Sequence, residues 1–336
     1  MRKTEHFSRD DLDNLIKKRG KRVLRRFEKE ATSGVDDQKL LEVLQFVTKY
    51  WKDNFRPAFA SFCCEAVGGQ IEAAEDVSLM ITLTSAGGGI HDDIIDKSSH
   101  KHFRRTVLGK YGLDYALLVG DLLIIKGWGL AKKLIGKFQP EKLEKVIEIF
   151  GSWTSDVCEA EFMEISCRQN LDTELEQYQK ILCKSMADTQ ACAKLGALIG
   201  GGSKNEIQAL ATFANRLAFM YRLADDIKDT LNKELNLSYR LQYESVPLPI
   251  LYSAKASLEN KSLIKKIIKI SAEDDKCFGK LLNICYHSKA FDFALNIAKE
   301  TTKEALKNLQ EIKPSKSKEV LRFMIQASLA EIRELM

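Results

Sequence analysis

Proline is scarce in this chain, with only 5 in 336 residues, so little interrupts long helices. No run reaches the roughly 18 apolar residues that a membrane span needs. With 29% charged residues and a mean hydropathy slightly below zero, a membrane bundle is excluded. Strong charge of one sign is also missing: the net charge of +5 is small for this length and spread along the chain, so no nucleic-acid partner is indicated. The first residues, MRKTEHFSRDDLDNL, are polar and mixed in charge and do not read as a signal peptide. The eight cysteines (Cys63, Cys64, Cys158, Cys167, Cys183, Cys192, Cys277 and Cys285) form no Cys-x-x-Cys pair. They are expected to be reduced core thiols of a cytosolic protein, neither a disulfide frame nor a zinc site.

What is present is helical period. Apolar residues recur three and four apart in 40–51, 59–67, 77–86, 115–135, 143–165, 207–227, 291–312 and 317–336. Alternating β-branched stretches are missing. No low-complexity linker and no fixed repeat divides the chain, so the expectation is a single all-α domain over 1–336, a large helical bundle with a central apolar cavity. Residues 230–245 read as irregular, and the lysine-rich 260–320 region as an exposed flank.

Two acidic clusters stand out: His91-Asp92-Asp93-Ile94-Ile95-Asp96 and Ala224-Asp225-Asp226-Ile227-Lys228-Asp229. Each is Asp-Asp-x-x-Asp, so on a helix its first and last aspartates share one face. Each ends a strongly apolar run, where crowded carboxylates lose hydration and repel one another. One such cluster is as easily a solvated acidic face. Two, both at the ends of apolar helices, point to multivalent cations. Aspartate oxygens suit Mg²⁺, which completes its octahedron with water and substrate phosphates. Asp92, Asp93, Asp96, Asp225, Asp226 and Asp229 are the expected metal ligands.

At these residues the sequence resembles the trans-isoprenyl diphosphate synthases. The likeness runs from about residue 50 to 255 and is strongest through HDDIID, TVLGKYG and LLVGDLLI. Thr106-Val107, Gly120-Asp121, Ala160 to Ile165, Tyr178, Lys184-Ser185 and Leu195-Gly196-Ala197 fall at further family positions. The resemblance implies an isoprenoid-synthase fold, a homodimer, and a magnesium-dependent prenyltransferase. Such an enzyme ionises an allylic prenyl diphosphate and condenses the cation with isopentenyl diphosphate. The metal ions and basic side chains draw charge from the leaving diphosphate. Lys184, with Arg104 or Arg105, is expected to touch phosphate; Lys52, Arg56, Lys101 and Arg222 are the other candidate substrate contacts. Gly87-Gly88-Gly89, one turn before the first cluster, stands where bulky family residues plug the cavity, which implies a product of C20 or longer. Close helix packing explains three glycines equally well.

The departures fall on the isopentenyl diphosphate pocket. The family's Gly-Lys-Arg-x-Arg-Pro is here Lys52-Asp53-Asn54-Phe55-Arg56-Pro57, its His or Gln is Ser85, and its Arg-Arg-Gly is Lys101-His102-Phe103. The metal clusters are intact and the second-diphosphate pocket is altered. A second reading is therefore a terpene synthase on the same fold, cyclising or hydrolysing one long prenyl diphosphate. A third is a non-catalytic subunit of a heteromeric synthase, although such subunits usually lose an aspartate motif.

Overall fold

The computed structural model describes residues 7–101, 104–232, 237–270 and 275–336. Sixteen α-helices run in chain order among the described residues: α1 (Arg9–Thr32), α2 (Gln38–Tyr50), α3 (Phe55–Ala66), α4 (Glu75–Ile95), α5 (Val107–Tyr111), α6 (Leu113–Gly129), α7 (Pro140–Ser166), α8 (Leu175–Ser185), α9 (Ala187–Ile199), α10 (Lys204–Leu231), α11 (Leu237–Tyr243), α12 (Leu248–Ala256), α13 (Leu258–Ile270), α14 (Asp275–His287), α15 (Ala290–Asn308) and α16 (Lys316–Leu335). The all-α expectation holds. Its one exception is a small antiparallel hairpin, β1 (His100–Lys101) with β2 (Arg104–Arg105), in which Lys101 faces Arg104. Within the stretch expected to be irregular, Leu237–Tyr243 is helical. No described helix is long and apolar enough to cross a membrane.

The chain forms two compact units. The first holds the described residues up to Trp153, Asp188–Ala211 and Glu311–Leu321; the second holds Thr154–Ala187, Thr212–Gln310 and Arg322–Met336.

In the first unit, α1 opens with a capping box between Ser8 and Asp11 and buries Leu12, Val23, Phe27 and Ala31 on one face. Ion pairs along one side of α1 fasten it: Arg19 to Glu65 at 2.6 Å, Arg22 to Glu75 at 2.9 Å, and Arg26 to both Glu75 and Asp76. The remaining cations of α1 are on its outer side. Lys318, from the region expected to be exposed, is buried and donates to the Ile312 carbonyl.

The helix that carries the first acidic cluster, α4, lies against α6 at backbone range. A Cβ at Gly87 would fall 2.5 Å from the Gly120 carbonyl oxygen, and a Cβ at Gly120 would run into the His91 ring. His91 Nε2 in turn lies 3.3 Å from an Asp121 carboxylate oxygen. Gly89 accommodates the Trp51 ring, which lies 3.0 Å from where its Cβ would be. Gly88 differs from both neighbours, since a Cβ there meets nothing within 4 Å. The glycine run thus divides: Gly87 and Gly89 serve packing, and Gly88 borders open space.

The core of the second unit is lined by Tyr178, Ile181 and Leu182 of α8, Leu217, Met220 and Ile227 of α10, and Leu248, Ile250 and Leu251 of α12, all buried. α12 packs on α13 and α15. Five cysteines are buried as expected; Cys158 is exposed, and Cys183 and Cys277 are half-buried. Burial pushes the Cys64 and Cys285 thiols each up to about 11, which makes them poor nucleophiles.

Adjacent glycines should therefore respond with opposite sign. Gly87→Ala forces α4 and α6 apart and should cost about 1–3 kcal/mol. Gly88→Ala adds no contact, fills a helical position with a better helix former, and should stabilise by about 1 kcal/mol. Chemical denaturation of the two variants checks both.

Candidate functional site

The last turn of α4 carries the first cluster. Asp92 and Asp96 are half-exposed, Asp93 is buried, and Asp96 caps the helix. The β1–β2 hairpin follows at once and brings back Lys101, whose Nζ lies 3.0 Å from Asp92 Oδ2 and 2.7 Å from Asp93 Oδ1. Asp93 Oδ1 is buried, and Lys101 is the cation that meets it. Burial pushes the Asp93 carboxyl up to about 6, with Lys101 opposing the rise. Two carboxylates thus hold the Lys101 ammonium between them, and they are hard oxygen donors of the type magnesium takes one or two of. Arg104 stacks over the Tyr50 ring at 4.5 Å, and Arg105 is exposed; neither has an ion-pair partner among the described residues. Lys101 is thus a counter-ion of the cluster, whereas Arg104 and Arg105 stay open to an anion. His102 lies outside the described residues.

The altered pocket is also in the first unit. Arg56 donates from Nη1 to Asp53 at 2.9 Å and from Nε to the buried Asp188. Ser85 Oγ lies 3.4 Å from the same Asp188 oxygen. Asp53 Oδ1 also accepts from the Phe55 N–H at 2.9 Å, so it starts α3 as a capping carboxylate. Arg56 was expected to meet a substrate diphosphate. Two carboxylates neutralise it instead, and the charge left around it is negative. Lys52, one residue earlier, is exposed and has no ion-pair partner among the described residues.

The second cluster lies near the end of α10, and here the aspartates separate by role. Asp225 is exposed, with Lys228 3.8 Å away. Asp226 has no exposed surface. It accepts from Tyr178 Oη at 2.8 Å, from the Leu248 N–H at 3.0 Å and from Arg240. Arg240 also pairs with Asp229. Asp226, expected as a metal ligand, is instead an anchor that ties α8, α11 and α12 to α10: it reaches no solvent and most of its acceptor capacity is used. Arg240 sits in the stretch that read as irregular and was not foreseen. Burial and the neighbouring Asp226 carboxylate hold the Tyr178 phenol well above its usual range.

Two further expectations change. Lys184 Nζ is held by Asp156 at 2.8 Å and Glu159 at 2.6 Å, both on α7, and so is engaged by carboxylates. Arg222 lies 4.0 Å from Glu164, whose carboxylate accepts from Ser245 Oγ at 2.6 Å. Among the described residues, no three His, Cys, Asp or Glu side chains converge tightly enough to hold a metal alone.

The described residues define an all-helical class of fold, with one acidic cluster at the end of α4 and another near the end of α10. Comparison makes the class specific. A family model described as polyprenyl synthetase matches residues 37–285. The chain is 25% identical over 297 residues to the short chain isoprenyl diphosphate synthase of Methanothermobacter thermautotrophicus, covering 87% of this chain and 90% of that one. Among solved structures it resembles the geranylgeranyl pyrophosphate synthetase of Pyrococcus horikoshii, with a TM-score of 0.82 at 21% identity over 95% of this chain and 98% of that one. It also resembles a polyprenyl synthase of Caulobacter crescentus complexed with calcium and isoprenyl diphosphate, with a TM-score of 0.80 at 17% identity over 97% and 98% of the two chains. The chain belongs to the polyprenyl synthetase family. The family and the names of these relatives point to a prenyltransferase.

The division of the second cluster is testable by stability alone. Asp226→Ala removes one of the two close carboxylates of the buried Arg240 and the acceptor for Tyr178 Oη and the Leu248 N–H, and should cost about 3–5 kcal/mol. Asp225→Ala removes an exposed carboxylate and should stay within about 0.5 kcal/mol of the parent. Urea denaturation followed by circular dichroism reads both.

Proposed function

We propose that this protein ionises an allylic prenyl diphosphate with magnesium and joins the resulting cation to isopentenyl diphosphate, giving a prenyl diphosphate of C20 or longer. The observation that carries this reading is the pair Asp92 and Asp93 gripping a cation on the last turn of α4. Asp92, Asp93 and Asp96 would hold magnesium on the first cluster, and Asp225 and Asp229 on the second. The ion supplies a Lewis acid that draws electron density from the diphosphate oxygens. Arg104 and Arg105 then meet phosphate oxygens as forked donors, and Lys101 passes from the carboxylates to the incoming phosphate. No protein nucleophile is needed, because the alkene of isopentenyl diphosphate attacks the cation and diphosphate takes the proton. Open space at Gly88, one turn before Asp92, gives the growing chain somewhere to extend.

We also propose that the enzyme is a cytosolic homodimer. On α6, Leu118 and Ile125 are each 65% exposed, seven residues apart and so on one face, an apolar surface that a second copy would cover.

One observation favours a second reading. With Arg56 neutralised by Asp53 and Asp188, the run where a second diphosphate was expected keeps Lys52 as its one unpaired cation. A one-substrate terpene synthase needs none there.

Mass spectrometry of products from C10, C15, C20 and C25 allylic diphosphates, each with magnesium and with or without isopentenyl diphosphate, separates the two. Elongated diphosphates that appear only with isopentenyl diphosphate support prenyl transfer; a hydrocarbon or alcohol from the allylic substrate alone supports the second reading. Asp92→Ala should abolish magnesium-dependent turnover at unchanged helical content. Gly88→Phe should shorten any elongated product, and an unchanged length would disconnect Gly88 from the chain path.

A further inference from the structure

A groove of about 330 Å³ lies along α1 in the first unit, and its walls carry Lys17, Lys21, Arg25 and Lys52 against a single carboxylate, Glu28. Lys17, Lys21 and Arg25 stand four apart, so they form one stripe along the helix. Like charges at this spacing destabilise a helix. Arg19, Arg22 and Arg26 of the same helix are each matched to Glu65, Glu75 or Asp76. None of the four groove cations has an ion-pair partner among the described residues. Trp51 also lines the groove, and its indole Nε1 is buried without a hydrogen-bond partner. The same ring lies on Gly89, three residues before Asp92. The groove therefore combines uncompensated positive charge, an unused N–H donor, and a size suited to a small polyanion.

We propose that this groove binds the diphosphate group of a small molecule, through Lys17, Lys21, Arg25 and Lys52. It is separate from the Arg56–Asp53–Asp188 network, which carries no free positive charge. Lys17 and Arg25 stand about 12 Å apart along the axis, so their long side chains converge on a bound anion, and a diphosphate offers them more charge and more oxygens than a single phosphate. The source is either isopentenyl diphosphate as substrate or inorganic diphosphate as released product. Assigning it to the substrate rests on the prenyl transfer proposed above; the binding itself does not.

The test uses the full chain without turnover. Inorganic diphosphate and isopentenyl diphosphate are each titrated into the parent, Lys21→Glu and Trp51→Phe, by calorimetry and by tryptophan fluorescence, and each protein is melted in parallel. Lys21→Glu should weaken inorganic diphosphate at least tenfold while its melting temperature stays equal or rises, since reversal at Lys21 relieves repulsion from Lys17 and Arg25. The ligand-induced fluorescence change should vanish in Trp51→Phe. Tighter binding of isopentenyl diphosphate than of inorganic diphosphate identifies the substrate as occupant, and equal binding identifies the shared diphosphate group; both support the site. Unchanged affinity in Lys21→Glu, or weaker binding that comes with a lower melting temperature, overturns it. A protein that shows charge-sensitive binding yet never elongates keeps this site and loses the proposed prenyl transfer.

Discussion

The cost of taking a carboxylate out of water governs the chemistry of this chain. Asp93, Asp188 and Asp226 are all buried, and each is met by a cation from a distant part of the sequence or from a following hairpin: Lys101, Arg56 and Arg240. The half-buried Lys184 shows the converse, a cation claimed by Asp156 and Glu159. Three side chains that look like substrate contacts, Lys101, Arg56 and Lys184, are therefore counter-ions. A buried acid left alone would be driven to its neutral form, and a pair at bonding distance keeps both charges. Positive charge available to an anion must be sought among cations that no carboxylate has claimed, and these include Arg104, Arg105, Lys52 and the outer stripe of α1.

Packing decides where these charges stand. The first cluster is rigid because the helix beneath it touches α6 backbone to backbone, at Gly87 and Gly120, and because His91 fills the space over Gly120. A larger residue at either glycine would separate the helices and tilt the turn that carries Asp92 and Asp93. Gly88 makes no such contact, and a Cβ there would meet open space. Steric filling and open space sit on consecutive residues because successive helical positions point about 100° apart.

The sequence made the helices legible because their period is local: each apolar stripe is written within a dozen residues. The two acidic clusters were legible for the same reason. Their partners were not. Arg56 and Asp188 are 132 residues apart, and Tyr178 and Asp226 are 48 apart, so no window joins them. The division of labour within the second cluster was hidden too, since Asp225 and Asp226 are chemically identical until burial separates them. Arg240 went unnoticed because a seven-residue helix carries too little period to stand out from a loop. The family resemblance picked out positions, but a position does not disclose whether its charge is free.

Replacing the family's lysine by Asp53 does more than delete a cation. It starts α3 with a capping carboxylate, and that carboxylate also binds Arg56. A diphosphate entering there would have to break a pair that Asp188 holds from the other side, against two negative charges. The cations on α1 face no such competition, with Glu28 the one carboxylate in their groove. Electrostatics therefore directs a second diphosphate away from Arg56. If this enzyme elongates chains, it does so with the second substrate's charge held by a different wall. If it does not, the Asp53–Arg56–Asp188 network is the reason, because it converts an anion pocket into a structural joint.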